Sequence, residues 1–284
     1  MFVIIGSIVV IISVLTGFTM AGGHVHSLIH PSELVTIGGA ALGALITMCP
    51  KKVLAGLIRG LVDCIRGSPY NKRAYEELFK AMYELLKLAR YDGLLALESH
   101  LSNPQQSSIF SKYPSLMKNH HALKFICGSL AMVVDNSVTP EQLPELLETD
   151  IKSMEEEHHG PMSVLAKTAD ALPGFGIVAA VLGIVVTMGA INGPVEKIGE
   201  KVGAALVGTF LGILLSYGFL APISVQMEFL GAAETAYFRT IASIIQGFAN
   251  SRAPKVVIEQ ARRGTSSDVR LEQDELEAAL KALD

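Results

Sequence analysis

Four long stretches without charged side chains constrain this chain more than any other feature of its sequence. Residues 2–32, 171–195 and 202–227 contain no Asp, Glu, Lys or Arg, and a shorter stretch runs from Leu34 to Cys49. About 20 apolar residues cross the hydrocarbon core of a bilayer, where a helix satisfies its own backbone hydrogen bonds. The sequence therefore predicts an all-α, polytopic membrane protein with four transmembrane helices in contact with membrane lipid.

The composition excludes several other classes of protein. Half of the 284 residues are hydrophobic and 18% are charged, compared with about 25% charged residues in typical globular domains. This excludes a disordered chain, a collagen-like rod and a secreted disulfide scaffold. Three cysteines at no metal or redox spacing predict reduced packing residues in a cytoplasmic context. A net charge of −4 gives no reason to expect a nucleic-acid partner.

The distribution of basic residues predicts the topology. Most of the 23 Lys and Arg residues lie between Lys51 and Lys167, and the segment Gly22–Pro31 has none. Positive residues accumulate on the cytoplasmic side of a membrane, which predicts that both termini and the large loop are cytoplasmic. The first stretch begins without the basic residues of a cleavable signal and is interpreted as a retained helix.

These observations predict four segments. They are transmembrane helices 1 and 2 with a short periplasmic loop (1–50), a cytoplasmic helical domain (51–168), transmembrane helices 3 and 4 (169–227) and a cytoplasmic helical tail (228–284).

The large loop has the periodicity of amphipathic helices. Apolar residues recur at three and four between Tyr75 and Leu101, with the opposite charges of Glu76 and Lys80 on the other side, and Gly93 is expected to bend this helix. A second amphipathic stretch covers roughly Ser115–Val134.

A third helix is predicted to begin at a capping box. Thr139 is the expected N-cap, followed by Pro140 at the first helical position and Gln142 at the third. The helix is expected to continue, with a kink at Gly160-Pro161, into the third membrane span.

Small residues recur in the last two spans. The fourth span has Ala204, Gly208, Gly212 and Ser216 at four-residue intervals, and the third has a similar stripe that includes Ala179, Gly183 and Thr187. Such stripes let helix backbones approach closely in lipid, so helix packing within one bundle is one interpretation. An ion path is another.

Two prolines lie at the same predicted depth. Pro173 lies near the start of the third span and Pro222 near the end of the fourth, and each frees a backbone carbonyl and permits a kink. They suggest a hinge layer, although membrane helices also tolerate prolines without such a role. Because neither span contains an acidic residue, a partner subunit is expected to supply the titrating group if ions move.

Several motifs together resemble a known family. The run Ala205–Leu214 followed by Pro222, the run Leu172–Ala180 and the run Pro31–Val35 resemble the flagellar stator subunits of the MotA family, within the wider stator, ExbB and TolQ superfamily. The resemblance extends over nearly the whole chain. It implies a bacterial inner-membrane protein that takes part in motility and chemotaxis. An intramembrane enzyme would need a nucleophile or metal constellation at membrane depth, and the sequence has none there, so neither an enzyme nor a cofactor is expected.

The resemblance also implies partners. Five copies would surround a dimer of a MotB-like, peptidoglycan-binding subunit that brings the essential Asp, and proton flow would turn the ring against the rotor protein FliG. An ExbB- or TolQ-like energiser of periplasm-spanning transport is the alternative, but those proteins have one span before the large loop where this chain has two.

Functional positions of the family match residues of this chain. The rotor-facing residues correspond to Arg90, Glu98 and Asp150, although on charge alone Arg90 and Glu98 fit a solvated helix face. The hinge prolines correspond to Pro173 and Pro222.

The ion path of the family corresponds to Thr209, for which a hydroxyl bonded back to its own helix is the alternative. Sodium-driven relatives have a threonine where this chain has Ala180, which predicts protons as the coupling ion. Thr187, two turns further along on roughly the same face, is a possible substitute ligand.

Three other features are predicted to have no catalytic or metal-binding role. His24, His26 and His30 lack a second cluster to complete a metal site. His158-His159 does not form a zinc-protease motif and is expected at a solvated helix end. Glu272–Asp284 is expected to form an exposed amphipathic helix.

Overall fold

The computed structural model describes residues 2–189 and 191–283, and every regular element in them is helical. Four helical segments are long and apolar enough to cross a membrane: Phe2–Met20, Val25–Met48, Leu143–Met188 and Val195–Ala249. This confirms the predicted all-α membrane protein with four such helices. The α-helices are α1 (Phe2–Met20), α2 (Pro31–Met48), α3 (Lys51–Arg66), α4 (Lys72–Asp92), α5 (Glu98–Ser102), α6 (Pro114–Lys118), α7 (His120–Val134), α8 (Leu143–Met188), α9 (Val195–Leu215), α10 (Ala221–Ala249), α11 (Pro254–Gly264) and α12 (Gln273–Lys281).

One compact unit comprises Met1–Gly67 and Glu156–Leu230 and contains the apolar helices. In this unit α3 packs against two other helices through glycines. A Cβ on Gly56 would lie 2.9 Å from Cγ of Pro161 in α8, and one on Gly60 would meet the flexible end of the Met227 side chain in α10. Gly56 and Gly60 therefore let α3 lie close against α8 and α10.

A second compact unit comprises Ser68–Glu155 and Gly231–Asp284. Its core is built around α4, whose inner face is buried, and around aromatic side chains of α7 and α10. Tyr75 and Tyr237 meet edge to face with ring centroids 5.1 Å apart, and Phe125 and Phe238 do so at 5.2 Å. Such pairs add about 0.5–1.5 kcal/mol each beyond the burial of their surface.

The first amphipathic helix of the loop is shorter than predicted. The Asn71 side chain accepts a hydrogen bond from the Ala74 N–H at 3.1 Å and caps the start of α4. Gly93, at a φ of +89°, ends the helix instead of bending it, because a left-handed backbone cannot continue a right-handed helix. The prediction that this helix reaches Leu101 is therefore wrong, whereas the Glu76–Lys80 ion pair is present at 2.5 Å.

The helices after it start close to the predicted positions. The second predicted helix is interrupted at Asn119, whose side chain caps α7. The Thr139 N–H donates to Oε1 of Gln142 at 3.3 Å, which is one of the two bonds of a capping box, and regular helix begins at Leu143. Helix α8 is then continuous for 46 residues, with Pro161 and Pro173 inside it.

His158-His159 lies within α8, so the prediction of a helix end there is wrong. The helix continues through both residues to Met188. Among residues 2–189 and 191–283, no group of three or more His, Cys, Asp and Glu side chains is arranged to hold a metal ion.

The C-terminal tail is packed rather than exposed. Helix α12 begins with a capping box formed by Glu272 and Glu275, and its apolar residues Leu276 and Leu280 are buried in the core that contains α4. Lys72 pairs with Glu275 at 2.7 Å. The expectation of an exposed helix is wrong because its apolar stripe is covered, and Asp284 lies outside the described residues.

The three cysteines are free thiols, as predicted. Cys64 is buried, and Cys49 and Cys127 are half-buried. Burial raises the pKa of Cys127 to about 11, so this thiol is protonated and unreactive at neutral pH.

A cluster of charged side chains in α11 makes the stability of this unit depend on pH in the acidic range. Hydrogen bonds from the Arg262 guanidinium, at 2.8 Å each, and a bond from Arg263 at 2.7 Å lower the pKa of Glu259 from 4.5 to about 2. Arg262 also donates to the Leu271 carbonyl at 2.9 Å, which links α11 to the segment before α12.

We expect this carboxylate to stabilise the fold above about pH 4.5 and to lose that contribution as the pH falls toward 2, because a lowered pKa favours folding only while the group is ionised. After solvent screening the contribution is about 1–2 kcal/mol. Thermal unfolding of the purified chain, followed by circular dichroism at about pH 5 and about pH 3, measures it. Glu259→Gln should show a smaller loss on acidification than the unchanged chain, and an equal loss in both would contradict the assignment.

Candidate functional site

Helices α8 and α9 touch along a seam of small residues. A Cβ on Gly176 would lie 2.9 Å from the Gly208 carbonyl oxygen, and one on Gly212 would lie 2.7 Å from the Leu172 carbonyl oxygen. Further along, a Cβ on Gly183 would lie 2.7 Å from Cβ of Ala205. The pairing runs antiparallel, and the backbones are close enough that no larger side chain fits between them. The small-residue stripes therefore pack against each other within one chain.

The seam places Thr209 and Ala180 at neighbouring depths. Gly176 lies against Thr209, since a Cβ there would be 3.2 Å from Cα of Thr209. Ala180 is one turn further along α8, at a level between Thr209 and Ala205, and both Thr209 and Ala180 are half-buried.

The hydroxyl groups of Thr209 and Thr187 differ in their hydrogen bonds. Thr187 is 1% exposed, and its hydroxyl donates to the Gly183 carbonyl of its own helix at 2.8 Å. Within the described part of the chain, the Thr209 hydroxyl forms no hydrogen bond with another residue. Thr209 thus keeps both its donor and its acceptor capacity for a ligand or water, whereas the Thr187 hydroxyl is already used.

Pro173 and Pro222 lie in different backbone conformations. Pro173 is inside α8, next to Leu172, whose carbonyl meets Gly212. Pro222 follows a π-helical segment, Ser216–Leu220, in which the Ala221 N–H bonds to the Ser216 carbonyl. π-helical turns inside α-helices occur often at functional sites, and nothing in the sequence pattern indicated this one.

The residues matched to the rotor interface are all exposed. Arg90 lies in the last turn of α4, and Glu98 opens α5 on the other side of the turn at Gly93. Asp150 is exposed on α8. A cavity of about 540 Å³ opens beside Glu98 between α5 and α7, lined by apolar groups such as Leu101 and Leu123 and by the charged groups Lys124 and Asp135.

One acidic group of the membrane helices was missed by sequence reasoning. The third and fourth spans lack acidic residues as predicted, but Glu33, in the first turn of α2, is 6% exposed within the same unit. The expectation that a partner supplies the titrating group rests on the third and fourth spans and stays a prediction. A single carboxylate at the edge of an apolar span was the signal, since ionisable residues in membrane helices are rarely without a role.

Comparisons with known proteins agree with this architecture. The family model described as "MotA/TolQ/ExbB proton channel family" matches residues 117–230, and "Motility protein A N-terminal" matches residues 4–93. Two solved structures share the fold. They are Campylobacter jejuni MotAB, with a TM-score of 0.78 at 23% identity over 95% of this chain and 98% of that one, and the Bacillus subtilis MotAB stator complex, with a TM-score of 0.73 at 21% identity over 90% and 92%.

Residues 117–230, which include the small-residue seam of α8 and α9, carry a domain of the MotA/TolQ/ExbB proton channel family. The motility protein A of Salmonella typhimurium is 34% identical over 100% of this chain and 96% of its own length, and that of Escherichia coli is 33% identical over the same shares. The chemotaxis protein LafT of Vibrio parahaemolyticus is 35% identical over 94% of this chain and 93% of its own length. The chain belongs to the motility protein A family.

The close contact of α8 and α9 predicts that substituting a glycine of the seam lowers stability more than substituting another glycine of α9. Gly212→Ala places a methyl group against the Leu172 carbonyl, and overpacking of this kind costs about 1–3 kcal/mol. Gly203→Ala is the matched control, because no atom lies within 4 Å of its added Cβ. It should be neutral, or stabilising by up to about 1 kcal/mol through helix propensity.

Thermal unfolding of both variants in the same detergent or lipid, monitored by circular dichroism, tests this difference. Equal unfolding temperatures for Gly212→Ala and Gly203→Ala would show that α8 and α9 are not in backbone contact at Gly212.

Proposed function

We propose that this chain is a flagellar stator subunit that works with a MotB-like partner to couple proton flow across the bacterial inner membrane to torque on the rotor. The observation that carries this proposal is the match to motility protein A along the whole chain, at 34% identity. The role is not enzymatic. The presence of α1 and α2 before the large loop favours a stator over an ExbB- or TolQ-like energiser, which has one span there.

The proposed topology puts both termini, the segment 51–168 and the tail 228–284 in the cytoplasm. The concentration of Lys and Arg after Lys51 supports this orientation. In it, the connection between α1 and α2 and the connection between α8 and α9 face the periplasm.

The proposed assembly is a ring of five copies around a MotB-like dimer that brings an essential Asp and grips peptidoglycan. Apolar side chains of α8 support lateral contacts with lipid, a neighbouring copy or the partner, because residues such as Ile177, Val181, Leu182 and Val185 are about half exposed or more in a single chain. The named structural relatives are complexes of this kind of chain with a second subunit.

The proposed hinge consists of Pro173 and Pro222. The π-helical segment before Pro222 supports it, because hydrogen bonds at this point are already offset from the regular pattern. At Pro173 the helix lacks one N–H within a turn of the seam at Gly176.

The proposed rotor surface consists of Arg90, Glu98 and Asp150, and its partner is the rotor protein FliG. We expect Arg90→Glu combined with Glu98→Lys to impair swimming, and charge reversals on the rotor protein to restore part of it. Exposed pairs contribute only about 0.2–1 kcal/mol each, so a neutral change at one position should have a small effect. Swimming-plate assays with immunoblots for expression measure the result, and normal swimming of the double reversal would reject this surface.

The proposed coupling ion is the proton. A sodium path needs several oxygen ligands to replace the hydration shell of the ion. Helices α8 and α9 offer one unbonded hydroxyl, that of Thr209, since Ala180 has no side-chain oxygen and the Thr187 hydroxyl is bonded to the Gly183 carbonyl. A proton can reach a partner carboxylate through water and a single hydroxyl.

The test of both function and ion is complementation. The chain and its partner are expressed in a strain without its own stator genes, and swimming speed is measured across external sodium at a fixed proton-motive force. We expect swimming to be restored and its speed to be independent of sodium. Thr209→Val should reduce speed severalfold and the matched control Thr187→Val should reduce it little. Speed that collapses without sodium would contradict the proton assignment, and failure to restore swimming with a stable, membrane-inserted chain would contradict the stator function.

A further inference from the structure

Glu33 is a buried carboxyl group without a hydrogen-bond partner. Its side chain is 6% exposed, and Oε2 is sealed from solvent with no donor among the described residues within hydrogen-bonding distance. Its backbone N–H is bonded to the His30 carbonyl at 3.1 Å, so the first turn of α2 holds the residue in place. Buried polar atoms are nearly always hydrogen-bonded, which makes this group an exception that requires an explanation.

The carboxyl group fits into a notch on α9. A Cβ on Gly208 would lie 2.6 Å from Oε2 of Glu33 and 3.2 Å from Cβ of Ala179 in α8. Ile37, one turn further along the same face of α2, is 1% exposed. The carboxyl group therefore lies among α2, α8 and α9, directly against the residue that precedes Thr209.

The membrane helices packed around Glu33 place no lysine or arginine beside it, and His30, just before α2, is the titratable group that interacts with it electrostatically. Residues 171–188 of α8 and 202–215 of α9 contain no charged side chain, and Lys201, the nearest charge on α9, lies about 10 Å from Gly208 along the helix axis. The titratable groups at the end of α2 are His30 and the histidines of the short 3-10 helix before it, His24 and His26. No ion pair joins any of them to Glu33 among the described residues.

An ionised carboxylate whose buried oxygen has no hydrogen-bond donor, and which has no lysine or arginine beside it, is less favourable than a neutral acid. We propose that Glu33 is a proton-binding site of this chain, a carboxylic acid that is held neutral in the Gly208 notch and that exchanges its proton with water on the side of the α1–α2 connection. The bound ligand is a proton, and its release leaves a negative charge between α2 and α9.

The proton site deepens the proposed function, and only its effect on torque rests on that function. Because Glu33 contacts the turn of α9 that carries Thr209, loss of the proton weakens the packing of α2 against this helix. The proton concentration on that side of the membrane is then linked to the position of the turn of α9 that carries Thr209.

Infrared spectroscopy of the full-length chain tests the protonation directly. The chain is produced with isotope-labelled glutamate, purified from membranes in its native assembly and placed in lipid, so that aspartates of a partner do not contribute to the labelled bands. We expect a labelled carbonyl band of a protonated carboxylic acid at neutral pH, which is lost in Glu33→Gln. Glu196→Gln is the matched control, because Glu196 is exposed in the first turn of α9, and it should leave the band unchanged.

Gly208→Ala provides a second variant that keeps the acid. Its added methyl group displaces the carboxyl group from the notch, so we expect the labelled band to shift in frequency and to disappear at a lower pH than in the unchanged chain. Absence of the band in the unchanged chain, or its persistence at full intensity in Glu33→Gln, would overturn the proposal. Neither measurement depends on rotation, so a chain that shows the band but does not restore swimming contradicts the stator function and not the proton site.

A motility measurement then tests the link to the ion path. At a fixed proton-motive force, the swimming speed of the unchanged strain should fall as external pH rises, because Glu33 loses its proton, and Glu33→Gln should lose most of this dependence. An identical pH dependence in both strains would overturn the link between Glu33 and α9.

Discussion

The close approach of α8 and α9 is the constraint on which the rest of the membrane unit depends. Lipid provides no hydrophobic drive for two apolar helices to associate, so their contact rests on van der Waals packing between backbones. At Gly176 and Gly212 the facing backbone is so close that an added Cβ would lie 2.9 Å from the Gly208 carbonyl oxygen and 2.7 Å from the Leu172 carbonyl oxygen, respectively. The level of Ala180 relative to Thr209 follows from this contact, and so does the Gly208 notch that receives Glu33.

The same contact explains which polar groups remain available. The Thr187 side chain is buried, and its hydroxyl is hydrogen-bonded to a carbonyl of its own helix. Thr209 is only half-buried and keeps its hydroxyl unbonded. The apolar part of α9, residues 202–215, in this way presents one unbonded hydroxyl without a charged side chain.

Much of this fold could be predicted from local patterns. Charge-free stretches predict α1, α2, α8 and α9 because desolvation of a charge in lipid is costly, and the four-residue spacing of Gly208 and Gly212 predicts the packing face. The end of α4 was harder to predict, since Gly93 in a sequence can bend, cap or simply occupy a helix, and its left-handed φ depends on the turn that follows. The burial of Leu276 and Leu280 could not be predicted, because an amphipathic stripe does not reveal what covers it. The notch that receives Glu33 could not be predicted either, because it is formed at Gly208, which is far from Glu33 in the chain.

The π-helical segment at Ser216–Leu220 has a geometric consequence for the helix that contains it. One additional residue is accommodated in a single turn, and relative to an uninterrupted α-helix this is a screw offset of about 1.5 Å along the axis and about 100° around it. Returning the segment to α-helical hydrogen bonding would rotate and translate the chain on one side of it by that amount, whereas moving the offset by one turn would shift only the residues of that turn. The helix would stay unbroken, so a discrete angular step is available at Ser216 without unfolding either side.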